Sequence, residues 1–251
     1  MKLTADMARA AAFGGAVLGG GGGGDLEAGL RLGLLAVEVG QPRLVALDEM
    51  EDQAILVTVS LVGAPSAPDQ CVEPIHYVQA LRLLMSCLDT PVSGLITNEN
   101  GGMATLNGWL QSAATGLPVV DAPCNGRAHP TALMGAMGLN AVAGYTSRQV
   151  AVGGSHAAGR YVRLYIEGSV PMASRLVRRA ATEAGGMVAV ARNPAAVAYI
   201  RDNAAPGALQ DALRVGRVLL AAQGPREAAE QVCNVLSGDL VCQTCVRDIT
   251  L

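Results

Sequence analysis

The chain has 251 residues, enough for one large domain or two small ones, and 51% of them are apolar. Its formal net charge is −3, Lys2 is the only lysine and no basic cluster exists, so nucleic acid is not an expected partner. No window approaches 18 uninterrupted apolar residues, which argues against a membrane-spanning helix. Only seven residues are aromatic, so a core must be built from Ala, Val, Leu and Met, packed closely around 31 glycines. That is the composition of a layered α/β protein, in which buried parallel strands read as Val/Ile/Leu runs.

In chain order, "TADMARAAAF" (4–13) reads as a helix, and Asp6 and Arg9 interrupt it too early for a signal peptide. A glycine run follows, and "LEAGLRLGLLAVEVG" (26–40) resumes helical spacing with Asp25 as its N-cap. "RLVAL" (43–47) and "AILVTVSLV" (54–62) are expected strands, and a helix from Pro68 or Asp69 to about Leu88 carries His76. "VSGLIT" (92–97) is a buried strand with "NENGG" as its exit turn, and "MATLNGWLQSAATG" (103–116) is a helix closed by Gly116. "LPVVD" (117–121) is the next strand, and "PTALMGAMG" (130–138) is a short helix.

"RYVRLYIEG" (160–168) alternates like a strand with one wet face. "PMASRLVRRAATEAGG" is a helix, "MVAVAR" (187–192) a strand, and "PAAVAYIRDNA" (194–204) a helix. Two more helices, "ALQDALRVGRVLLAAQG" and "PREAAEQVCNVLSG", precede a final strand "DLVCQTCVRD" (239–248). Strands alternating with helices predict one α/β/α sandwich over 1–251 with a mostly parallel sheet. Ligands of such sheets bind outside the carboxyl ends of the strands. "GGGGGGD", "NENGG" and "DAPCNGRAHP" each follow an apolar, strand-like run, so three unusual loops are expected to share one edge.

Each loop supports more than one chemistry. Gly19 to Gly24 match a dinucleotide fingerprint, with Asp48 24 residues beyond Gly24, but any polyglycine run does so, and no nucleotide cofactor is expected. Gly22, Gly23 and Gly24 either bind an anion through their amides or form a tightly packed turn. Asn98, Glu99 and Asn100, before Gly101 and Gly102, suit a general base, a divalent-metal ligand or a substrate clamp, or only a polar turn. In "DAPCNGRAHP", Asp121 closes the strand, and Cys124, Asn125, Gly126, Arg127 and His129 follow. A cation beside a thiol favours the thiolate, so Cys124 with His129 offers a nucleophile and a proton shuttle. The alternative is that Cys124 is apolar filler and His129 shapes the turn. His156, in "GGSHAAG", is a further candidate for the same pocket. The "CQTC" at 242–245 lacks the helix start expected of a redox motif. Six scattered cysteines without a secretion signal fit free thiols in the cytoplasm.

Together, "GGGGGGD", "ENGG" and "GLPVVDAPCNGRAHP" resemble the S-methyl-thiohydantoin desulfurase family, often described as hydantoinase-associated. The resemblance implies a three-layer α/β domain and an enzyme acting on a five-membered, hydantoin-like ring. Gly22, Gly23, Gly24, Asp25, Glu99, Gly101, Gly102, Asp121, Gly126 and Arg127 match that pattern. Pro123, Cys124, His129 and Thr131 depart from it, and the β-rich C-terminal domain of longer relatives is expected to be absent. The implied reaction is hydrolysis or other processing of a cyclic amide or thioamide. Glu99 or Asp121 would activate water or hold a metal, and Arg127 and the glycine amides would bind the developing anion. A lyase, isomerase or cyclase on the same scaffold, or a binding subunit without catalysis, remain alternatives. A small-molecule substrate and a homo-oligomer or partner subunit are the expected partners.

Overall fold

The computed structural model describes residues 1–244 and 248. Helices α1 (Ala5–Leu18) and α2 (Leu26–Val39) come first, capped by Thr4 and Asp25, whose side-chain oxygens accept from the backbone N–H of Met7 and Ala28. Then follow β1 (Leu44–Ala46), β2 (Ile55–Gly63), α3 (Pro74–Ser86), β3 (Val92–Thr97), α4 (Trp109–Thr115) and β4 (Val119–Asp121). The second half contributes β5 (Ser147–Gly153), β6 (Val162–Gly168), α5 (Val170–Glu183), β7 (Met187–Ala196), α6 (Val197–Asn203), α7 (Ala208–Ala221) and α8 (Pro225–Leu236).

The strands form one sheet in the order β1-β4-β3-β2-β7-β5-β6. The block β1, β4, β3 and β2 is parallel, whereas β7 runs antiparallel to both β2 and β5, and β6 antiparallel to β5. Five strands therefore point the same way, which makes the sheet mostly parallel in direction, with an antiparallel half beyond β2. Alternation along each strand feeds two layers. Val57, Val59 and Leu95 meet Leu81 and Leu84 of α3 on one face. Leu56, Ile96 and Val120 meet Ile200 of α6 on the other, where Val188 and Val190 also cover Val177 of α5. The arrangement is an α/β sandwich.

Several elements differ from the sequence expectation. α1 continues through "GGAVL", so the glycine loop leaves a helix and not a strand. The long helix starts at Pro74, five residues after Asp69, with Glu73 and His76 forming its capping box. "MATLNGWLQSAATG" is split into a 3-10 turn (Ala104–Leu106) and α4, because Gly108 takes a left-handed φ of 93°. "PTALMGAMG" contributes only a 3-10 turn (Met134–Ala136). β5 was not anticipated, and β7 runs on through Asn193 and Pro194 to Ala196. Residues 239–244 of the expected final strand are not in a strand, and Cys245, Val246 and Arg247 lie outside the described residues. Asp48 sits on an exposed 3-10 turn paired with Arg201, not at a ribose-binding strand end.

α1 packs along α7 with almost nothing between the backbones. A Cβ on Gly14 would lie 1.8 Å from the Ala212 carbonyl oxygen, and one on Gly216 would lie 1.8 Å from that of Ala10. Alanine gains up to about 1 kcal/mol over glycine in an exposed helix, but here the clash is with rigid backbone. Gly216→Ala should therefore be destabilising by about 2–3 kcal/mol, a fall of roughly 5–10 °C in Tm, read by thermal unfolding. An unchanged or raised Tm would show that the helices can separate at no cost.

Candidate functional site

The exits of β2 and β3 open into a cleft of about 560 Å³. Its wall includes Asn98, Glu99, His129, Arg192, Ser60 and Asn107, with Gly23 and Gly24 at one margin. This is the carboxyl edge of the parallel strands, where an open α/β sheet places ligands.

Two loops meet there backbone to backbone. A Cβ on Gly101 would come within 2.4 Å of the Gly23 Cα, and Gly23 itself has a left-handed φ of 81°. The Gly23 carbonyl then accepts from the N–H groups of Met103 and Ala104, at 3.1 and 2.8 Å. Gly22 packs against Ala128, Gly24 against Met103, and Gly102 against Leu26. The glycine run is a tightly packed turn at the margin of the cleft.

Asn100 is fully buried and ties three segments together. Its Nδ2 donates to the carbonyls of Ala208 (2.9 Å) and Gly126 (3.3 Å), while its Oδ1 accepts from Thr105. Its neighbour Glu99 is thereby fixed over the cleft with a side chain 13% exposed, beside His129 at 5%. The His129 Nε2 lies 3.0 Å from Glu99 Oε2, which also accepts from the His129 N–H and from Asn98 Nδ2, each at 3.2 Å. All three contacts fall on Oε2, leaving Oε1 without a protein partner among the described residues.

Arg192 controls this arrangement. Its guanidinium, buried on β7, donates to Asn98 Oδ1. An arginine only donates, so the Asn98 amide must turn its Nδ2 toward Glu99 and His129, which stands 2.8 Å from His129 Nε2. Burial raises the Glu99 carboxyl above its ordinary value and lowers the His129 imidazole below its own. Both shifts favour the neutral forms of two groups that stand 3.0 Å apart.

The other expected site residues lie elsewhere. Asp121, buried at the end of β4, accepts from the N–H groups of Leu209 (2.8 Å) and Gln210 (3.2 Å) and so caps α7. Cys124 is 4% exposed, touches Thr58 Oγ1 at 3.4 Å, and burial pushes its thiol up to about 11. The neutral thiol sits in the apolar layer with Ile96 and Val120. Asn125 donates to the Met134 carbonyl, Gly126 and Arg127 are exposed outside the cleft wall, and Asp25 caps α2. His156 stacks on Tyr161 at 3.7 Å, away from the cleft lining. Among the described residues no three His, Cys, Asp or Glu side chains converge, and Glu99 with His129 gives two donors where a zinc site needs three or four.

Arg192, Ser60 and Asn107 were not anticipated. Arg192 was the one charged residue in "MVAVARNPAAVAYI" before Arg201, and Thr58 and Ser60 were polar residues two apart on one strand face. A lone cation in a buried strand and a polar pair on a core face are both readable signals.

Comparison with solved structures places the chain beside a protein from Chromobacterium violaceum determined by X-ray crystallography, with a TM-score of 0.74 and 22% identity. The match covers 94% of this chain and 67% of that one, and shows a common fold. No curated protein matches the chain. The model of the S-Me-THD-like N-terminal domain matches residues 7–156, and that of the S-Me-THD-like C-terminal domain matches residues 169–250. The second match falls within the same α/β sheet: segment 169–250 supplies β7, between β2 and β5, and with it Arg192. Across both matched segments, the chain belongs to the S-Me-THD-like family.

Proposed function

We propose that the cleft is the active site of a cytoplasmic enzyme that hydrolyses, or otherwise processes, a five-membered cyclic amide or thioamide, with Glu99 as its acid–base group. The observation that carries this reading is the Glu99–His129 pair: half-buried, 3.0 Å apart, fixed by Asn98 and Arg192, and with Glu99 Oε1 unpartnered among the described residues. Family membership favours a hydantoin-type ring. The free thiols of Cys71, Cys87, Cys124, Cys233 and Cys242 suit a reducing compartment.

In the hydrolytic case, water in the cleft gives a proton to Glu99 Oε1 while its oxygen attacks a trigonal ring carbon. The π electrons of that carbon move onto its heteroatom, where the Arg192 cation offsets the new negative charge. The double bond then re-forms, the C–N or C–S bond breaks, and the proton held by Glu99 and His129 passes to the departing nitrogen or sulfur. One water is consumed and no oxidant or reductant is needed. Cys124 has no part in these steps.

Glu99→Gln keeps the shape and removes the base, so kcat/KM for the ring substrate should fall about 100-fold or more. Because burial raises the Glu99 carboxyl, the wild-type acid limb of kcat/KM should lie above the ordinary glutamate range. The folded state binds the Glu99 proton more tightly than the unfolded one. The stability from the neutral form is therefore complete below the unfolded value and is lost as pH rises through the folded one. Glu99→Gln escapes that loss, and at pH 8 its Tm should equal or exceed that of the wild type. A pH profile and a melting curve decide both points, and wild-type turnover in this variant would remove Glu99 from the chemistry.

The complementary variant is Asp121→Ala. Losing the cap of α7 should cost about 1–2 kcal/mol, or roughly 2–8 °C in Tm, with turnover of the folded protein retained. Turnover lost at unchanged Tm would place Asp121 in the reaction.

A further inference from the structure

Six buried side-chain polar atoms lack a hydrogen-bond partner among the described residues, and four belong to residues lining the one cleft: Ser60 Oγ, Asn107 Oδ1, His129 Nδ1 and Arg192 Nε. Native interiors pair nearly all such groups, so four orphans in one wall call for a specific cause. Backbone geometry holds three of them in place. Arg192 pairs with Thr58 across the β2–β7 register, so it shares a sheet face with Ser60, two residues further along β2. Asn107 closes the 3-10 turn over the end of β3, its N–H donating to Ala104, whose carbonyl also accepts from Thr97 Oγ1 at 2.6 Å. The orphans are complementary in type: Arg192 Nε only donates, Asn107 Oδ1 only accepts, and Ser60 does either.

We infer that Asn107, Arg192 and Ser60 form the specificity wall of the cleft and read the C=O/N–H edge of an unsubstituted cyclic amide. Asn107 Oδ1 takes the ring N–H, Arg192 Nε–H gives to the ring carbonyl, and Ser60 Oγ fills the remaining donor or acceptor role. The inference rests on the proposed function for the ring class, and it adds the requirement that the ring carry a free N–H. Asn107 and Ser60 are positioning residues. They bind the ring, while Glu99 acts on it.

An orphaned acceptor weakens the free protein, so its role in binding leaves a signature that a structural residue does not. Asn107→Leu should keep or raise the Tm of the free protein while weakening its affinity for hydantoin, the probe, at least tenfold by calorimetry. Ser60→Ala should do the same to a smaller degree. The ligand-side counterpart is 1,3-dimethylhydantoin, which has no N–H: wild type should bind it at least tenfold more weakly than hydantoin, and Asn107→Leu should bind the two about equally. Wild-type affinity for hydantoin in both variants overturns the inference, as does equal binding of the two rings by wild type, or no binding of hydantoin at all. Glu99→Gln separates this from the reading of the reaction. If that variant binds hydantoin normally and loses turnover while Asn107→Leu binds normally, the catalytic reading stands and the wall falls. If Glu99→Gln keeps turnover while Asn107→Leu loses affinity, the wall stands and the base is another group.

Discussion

The site depends on a contact between two glycine backbones. Gly23 and Gly101 approach so closely that a Cβ on either would lie about as near the other's Cα as bonded neighbours one atom apart, at 2.5 and 2.4 Å. From this contact the Gly23 carbonyl reaches the Met103 and Ala104 N–H groups and seats the turn that carries Asn107. On the other side Asn100 holds the same turn to Ala208 and Gly126, and so to the start of α7 and the loop bearing His129. Glu99, between Asn98 and Asn100, has little freedom left. Fixing a carboxylate in this way lowers the reorganisation that its reaction requires, because the ordering has already occurred on folding. The cost is composition: the loop tolerates almost no side chain.

A second constraint is electrostatic. Arg192 is buried inside the sheet, with the dipole of Asn98 at close range and Cys124 and Glu99 nearby. A guanidinium in a low-dielectric interior demands compensation. The compensation runs through Asn98, whose amide it orients, and ends on the Glu99–His129 pair. One buried cation thus sets the polarity of a four-residue network drawn from three segments. Its strand lies in the matched C-terminal segment while Glu99 and His129 lie in the N-terminal one, so the site is complete only when β7 inserts between β2 and β5.

Layer order and most elements were legible because apolar runs and helical periods are local. What was missed depended on contacts distant in sequence. "SRQVAVG" carries Arg148 and the buried Gln149, so it lacked the apolar continuity of a central strand, although pairing with both β6 and β7 makes it one. "GGAVL" reads as an apolar, strand-like run, yet it is helical, and Gly14 within it lets α1 touch α7 while Gly15 faces Gly101 and Thr105. The glycine run reaches the cleft edge from a helix, through its contact with Gly101. Asp121 illustrates the general difficulty. An aspartate at a strand end suits both a base and a cap, and the cap is visible only through the Leu209 and Gln210 N–H groups, 88 and 89 residues away.

These features divide the molecule into a part that supplies stability and a part that consumes it. Close helix packing through Gly14 and Gly216, and an aromatic-poor core of Ala, Val and Leu, give dense contacts with few polar atoms to satisfy. The cleft does the opposite: it buries a guanidinium, half-buries a carboxyl and an imidazole, and leaves four polar atoms unpaired among the described residues. Each unpaired atom costs on the order of 1–3 kcal/mol, comparable with a sizeable share of a domain's net stability. Such a deficit persists when the geometry that creates it is over-determined from outside, as the glycine contact and the Asn100 staple do here. The polar wall and the rigid loop beneath it are therefore one design: the loop holds open the hydrogen bonds that a ligand closes.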